Sequence, residues 1–153
     1  MDCAVDLASG ITRASEMITL DEYFGKWLHH PDVTDTVMEN AEKLLDSVAD
    51  LEALARADGV KFPDNPATGS GVSGETYGGF RPQSCTQGAV HSSHKEGLAL
   101  DRYDPDSGID VWCMANFPKL ADCGIYIEHP DSTHGWSHWT IKAPGSGHRA
   151  FYP

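Results

Sequence analysis

Apolar and polar positions along this chain fall into two helical stretches, followed by short alternating segments set between glycine- and proline-rich turns. Leu20, Tyr23, Phe24 and Trp27 recur at helical spacing behind Thr19-Leu20-Asp21-Glu22, which has the form of a capping box. The pattern predicts a short amphipathic helix to about Leu28, stopped by Pro31. A longer helix is expected to begin between Thr34 and Thr36, with Thr36 and Glu39 as a second box. Val37, Ala41, Leu44, Leu45, Val48, Leu51 and Ala55 make its buried face, its acidic residues the solvated one, and Asp58-Gly59 its end.

The second half reads differently. Residues 61–75 form a long polar loop, Thr76 to Arg81 a short strand broken by Gly78-Gly79, and Pro82 to Ser93 another loop. Gly97 to Tyr103 alternates as a strand, with Ala99, Asp101 and Tyr103 on one face and Leu98 and Leu100 on the other. A helix is expected from Ile109 to Cys123, with Val111, Trp112, Ala115 and Leu120 as core positions, Pro118 interrupting it and Gly124 capping it. Ile125–Glu128 and Trp136–Ile141 read as strands, the latter placing Trp136, His138 and Thr140 on one face and Trp139 and Ile141 on the other. The tail from Pro144 to Arg149 reads as loop. This order predicts an α+β fold in which helices pack on a small, mostly antiparallel sheet. Residues 1–17 carry no strong periodicity and are expected to be an N-terminal arm ahead of one domain at 18–153.

A chain of 153 residues is long enough to close one hydrophobic core without staples. Its net charge of −12 argues against a nucleic-acid partner, since phosphate binding needs clustered Lys and Arg. Cys3, Cys85, Cys113 and Cys123 form no C-x-x-C pair, so reduced thiols are expected rather than a disulfide scaffold or a zinc finger. No run approaches the roughly 20 apolar residues of a membrane span. Met1 to Ser15 lacks the basic and apolar regions of a secretory signal, so synthesis in a cytoplasm without a signal peptide is expected.

Chemistry concentrates in two segments, Ser92-Ser93-His94-Lys95-Glu96-Gly97-Leu98-Ala99-Leu100-Asp101 and the histidine-rich stretch from Glu128 to Trp139. Two neutral imidazoles and one carboxylate are a common ligand set for a catalytic zinc, with the fourth position open to water. Asp101 and His138 lie on separate strands that bring them together if the strands are neighbours, and His94 is placed to fold back over the same spot. Gly97 permits a tight turn, and Ala99 leaves room beside Asp101. Some of the eight histidines must be incidental. A carboxylate near a metal-activated water serves as general base, and Glu128 and Asp131 are both candidates. A serine-hydrolase reading needs a nucleophile elbow, and the chain has no G-x-S-x-G.

Ser92-x-His94-x-x-Gly97-x-Ala99-x-Asp101 resembles the S-x-H-x-x-G-x-A-x-D signature of zinc D-alanyl-D-alanine carboxypeptidase-like peptidases, in the lysostaphin and hedgehog group. Gly79-Phe80-Arg81-Pro82 is similar to the family's glycine-aromatic-Arg segment, and Gly135-Trp136-Ser137-His138 to its W-x-H strand. Residues 18–23, Asn40-Ala41-Glu42, residues 127–131 and Ser146-Gly147-x-Arg149-x-Phe151 resemble a phage-encoded branch. The resemblance implies a hedgehog/DD-peptidase-like fold, one zinc held by His94, Asp101 and His138, and Arg81 on a substrate carboxylate. It implies Ser92 on the substrate or orienting a ligand, with Glu128 as first choice of base and Asp131 as second. Many relatives place the acid three residues before the last histidine, where this chain has Gly135, and His134 stands where phage relatives often have proline. The implied activity is cleavage of peptidoglycan stem peptides, by a free lysis enzyme acting at the wall after release or by a protein carried in the virion. The alternative is a phage virion or tail module that keeps the fold for wall binding or structure with little or no catalysis.

Overall fold

The computed structural model describes residues 17–153 apart from Glu75; most of the expected N-terminal arm, and Cys3 with it, lies outside the described residues. The architecture is α+β. In chain order the elements are α1 (Leu20–Phe24), a 3-10 turn (Gly25–Trp27), α2 (Asp35–Ala57), a second 3-10 turn (Ser93–Glu96) and β1 (Ala99–Asp104). There follow α3 (Gly108–Met114), α4 (Phe117–Asp122), β2 (Tyr126–Glu128), a third 3-10 turn (Pro130–Ser132), β3 (Gly135–Thr140) and β4 (Ala150–Phe151). None of the described helices is long and apolar enough to cross a membrane.

The capping box forms as the sequence predicts: Glu22 N donates to Thr19 Oγ1 at 3.1 Å, and Thr19 N to Glu22 Oε1 at 3.4 Å. The α-helix it opens is shorter than expected, because Gly25 at φ 53° turns the chain into a 3-10 turn before Leu28. On α2 the cap is Thr34, whose hydroxyl accepts from Val37 N, rather than Thr36. Val37, Ala41, Leu44, Val48, Leu51 and Ala55 are all buried, as their spacing predicts. Glu52 departs from the expectation that the acidic residues of α2 face solvent: it is buried, against Arg102 Nε at 3.2 Å and Arg56 Nη2 at 3.1 Å. Burial raises the Glu52 pKa, and the two guanidinium charges oppose that rise.

The expected Ile109–Cys123 helix is two helices. Pro118 has no N–H for the carbonyl of Met114, and its ring crowds that carbonyl, so the ladder breaks between Met114 and Phe117 and restarts with Pro118 in the first turn. Trp112 and Leu120 are buried as expected, but Val111 and Ala115 are exposed, because α3 turns the face of Ile109, Trp112 and Cys113 to the core and both lie opposite it.

The sheet runs β1-β3-β2-β4. β1 and β2 both pair antiparallel to β3, while β4 joins β2 in parallel. Ala150–Phe151, just past the expected 144–149 loop, forms a strand the sequence did not predict, since two residues carry no periodicity to read. The expected strand at 76–81 is also absent. Gly71 O and Ser73 N pair with Tyr103 N and Asp101 O of β1, at 2.8 Å each, and Gly78 O accepts from Asp101 N at 2.7 Å, so an irregular segment covers the open edge of β1. Leu100 and Trp139 face each other on the helix side of the sheet with Ile127, all fully buried. The strand period of two therefore sends Asp101 and His138 to the opposite face.

Candidate metal centre

Each prospective ligand is delivered by a different element. Asp101 and His138 are direct register partners across β1 and β3. Glu128, one residue beyond the Ile127–Trp139 pair, is level with His138 on the next strand and pairs with Phe151 of β4. One row across the sheet thus reads Asp101, His138, Glu128, Phe151. His94 comes from the 3-10 turn before β1. The Ser92 hydroxyl accepts from His94 N at 3.2 Å and opens that turn. Gly97 closes it at φ 75°, where a Cβ would also stand 2.7 Å from Val37 O.

The three ligand atoms form a small triangle. His94 Nε2 lies 3.3 Å from His138 Nδ1 and 3.3 Å from Asp101 Oδ1, and His138 Nδ1 lies 2.8 Å from Asp101 Oδ1. Ligands held tetrahedrally at zinc bond lengths are spaced by about 3.3 Å, so two edges match and the third needs a small opening. His94 Nδ1 is 2.7 Å from Gly79 O. A carbonyl only accepts, so Nδ1 carries the proton and Nε2 presents its lone pair to the other two groups. Burial lowers the His94 pKa, against the pull of Asp101, and favours the neutral imidazole that a metal requires. Burial opposes ionisation of Asp101, yet His94 when protonated and the hydrogen bond and charge of His138 outweigh it and hold the carboxyl below the usual carboxylate range. Among the described residues this is the group of histidine, cysteine and carboxylate side chains able to hold a metal ion.

The triangle sits in a cleft of about 730 Å³. Arg81 lines it, with Nη2 at 3.2 Å from Asp101 Oδ2, Nε donating to Tyr77 O at 2.7 Å and Nη1 to Gln87 O at 3.2 Å. Asp101 therefore turns one oxygen to the imidazoles and the other to a guanidinium. Glu128 is half-buried in the wall of the cleft. Burial raises its pKa; His138 and Arg81 oppose the rise and Asp101 adds to it. Phe151 meets the His138 ring edge-on at 6.0 Å between centroids.

Of the residues singled out from sequence, His94, Asp101, His138, Glu128, Arg81 and Ser92 all line this cleft. Asp131 does not: its side chain is 75% exposed, beside His129 at 3.4 Å and Tyr152 Oη at 3.4 Å. His134 is also exposed and outside the cleft. Trp139 is core, while Trp136, on the opposite strand face, lines the cleft with Tyr77. Tyr77 and the segment from Gln87 to His91 escaped the sequence reading, because loop residues without spacing carry no pattern. The strand period alone assigns Trp136 to the face of His138. No family model, curated protein or solved structure matches this chain.

Proposed function

We propose that the protein is a zinc metallopeptidase that hydrolyses a peptide bond in peptidoglycan stem peptides. The observation that carries the reading is the His94–Asp101–His138 triangle, with its lone pairs converging at the floor of a cleft and Glu128 in the same row. The peptidoglycan substrate is supported by the resemblance of the S-x-H-x-x-G-x-A-x-D signature and the W-x-H strand to the D-alanyl-D-alanine carboxypeptidase-like family. A phage-encoded origin is supported by the resemblance of residues 18–23, Asn40-Ala41-Glu42, residues 127–131 and Ser146-Gly147-x-Arg149-x-Phe151 to its phage branch.

Zinc held by His94 Nε2, His138 Nδ1 and Asp101 would acidify water toward a pKa of ~7 and polarise a carbonyl oxygen. Glu128, level with His138 in the same row, would take the proton from the attacking water and return it to the leaving amine. Burial raises its pKa in the metal-free protein, and a zinc ion beside it would favour the ionised form that accepts a proton. Asp131, exposed and away from the cleft, is not used. Gly79 O fixes the His94 ring, and Arg81 fixes the carboxylate of Asp101. A guanidinium has five N–H groups, and three of the Arg81 groups are engaged within the chain, which leaves two for a substrate oxygen. Ser92 orients the His94 turn through its hydroxyl oxygen and keeps its O–H to donate in the cleft.

The test is elemental analysis of the purified protein, with mass spectrometry of muropeptides incubated with it. One zinc per chain, lost in His138→Ala, with new peptide termini in the muropeptides, is expected. Absence of divalent metal from the wild type refutes the site. Zinc without cleavage favours the alternative, a virion or tail module that binds the wall.

A further inference from the structure

The 82–92 loop supplies the cleft wall formed by Gln87, Gly88, Ala89, His91 and Ser92, yet little of its own backbone holds it together. Its internal backbone bonds are Cys85 N to Pro82 O at 3.0 Å and Ser92 N to Ala89 O at 3.1 Å, one at each end. Between them the carbonyls turn toward cations. Lys95 Nζ donates to Gln83 O at 2.8 Å and to Val90 O at 3.2 Å, tying residues seven apart in sequence to one ammonium. Arg81 holds the tip through Gln87 O at 3.2 Å, and Asp32 Oδ2 accepts from Gln83 N at 2.8 Å.

Lys95 is only 5% exposed. Lysine is rarely buried without a partner, because its ammonium loses strong hydration. Here the lost hydration is replaced by two carbonyl oxygens, and charge-assisted bonds are the stronger class of hydrogen bond. Lys95 also follows His94 directly on the 3-10 turn that Ser92 and Gly97 bracket. The turn that points an imidazole into the metal triangle therefore points an ammonium into the base of the adjacent wall.

We propose that Lys95 is a positioning residue for substrate: its ammonium clips Gln83 O to Val90 O and holds the 83–90 loop as a formed wall of the cleft. This rests on the peptidase reading only for what the wall contacts, a stem peptide; the clip itself is a property of the loop. Removing the ammonium leaves the ligands, Glu128 and Arg81 in place but lets the wall open. Substrate must then order the loop on binding, which raises KM more than it lowers kcat.

Lys95→Met keeps the apolar stem and removes the charge. Hydrogen exchange read at single amides by fragmentation mass spectrometry should show the hydrogen-bonded amides of the loop, Gln83, Cys85 and Ser92, exchanging at least about tenfold faster, with β1 and β3 unchanged. Lys95→Arg, which retains a cation with several donors, should restore most of the protection. Zinc affinity, read by competition with a chromophoric chelator, should stay within about twofold of wild type while KM for a muropeptide rises about tenfold. Unchanged exchange in the loop overturns the clip. So does faster exchange spread equally over β1 and β3, or failure of both variants to fold, since Lys95 is then a residue of the fold. Should the wild type cleave no muropeptide, the peptidase reading fails while the exchange result still decides the clip. Should the loop open without a change in KM, the wall is not a substrate contact.

Discussion

Gly79→Ala tests the link between the fold and the metal triangle. A Cβ at residue 79 would stand 1.9 Å from Tyr23 O, against a floor of 3.0 Å for real contacts, so something must move by at least about 1.1 Å. Tyr23 is poorly placed to give way, being 2% exposed with its hydroxyl donating to Ala99 O at 2.9 Å. Residue 79 moves instead, and its carbonyl is the acceptor that orients His94 at 2.7 Å. A displacement of about 1 Å carries that bond beyond hydrogen-bonding length. Losing such a partner behind a ligating histidine costs about 10–100-fold in metal affinity, or about 1.4–2.7 kcal/mol. The overpacked contact adds about 1–3 kcal/mol of lost stability. Zinc competition against a chromophoric chelator, with thermal melting of the metal-free protein, separates the two effects. Gly145→Ala, where a Cβ meets nothing within 4 Å, is the control. If Gly79→Ala binds zinc within about twofold of wild type, the carbonyl does not set the His94 ring and the argument fails.

Glu128→Gln should retain zinc and lower muropeptide turnover by about 10²-fold or more, whereas Asp131→Asn should stay close to wild type; the reverse order in a steady-state assay would exchange their roles. Asp110 contributes a pH dependence of stability, since burial raises its pKa from 3.8 to about 6 against hydrogen bonds from Ser137 and Thr133. Between those values only the folded state holds the proton, so stability falls as pH rises from about 4 to about 6, by at most about 3 kcal/mol. Urea midpoints across that range should show a flatter profile for Asp110→Asn, and an identical slope would refute the assignment. Cys85, Cys113 and Cys123 are free thiols, so reductant should leave the melting temperature unchanged; a drop would reveal a disulfide the fold depends on.

Local features were legible in the chain because they depend on local physics. The Thr19–Glu22 capping box, the buried stripe of α2 from Val37 to Ala55 and the left-handed Gly97 turn each follow from a few neighbouring residues. The alternation of β1 and β3 put Asp101 on one strand face and His138 with Trp136 on another before any pairing was known. The signature segment singled out His94 and Asp101, but only the register set Asp101 opposite His138, and only the order β1-β3-β2-β4 set Glu128 beside them. From sequence Glu128 and Asp131 are two acids three residues apart; the strand end keeps one in the cleft and the 3-10 turn at Pro130–Ser132 carries the other into solvent. Glu52 looked like any acidic residue on a helix until Arg102, 50 positions away, was brought against it. Strand β4, the edge pairing of residues 71–78 and the carbonyls gathered by Lys95 and Arg81 have no pattern of their own. Hydrogen bonds to backbone atoms are indifferent to side-chain identity, so the sequence carries no mark of them until the chain has folded.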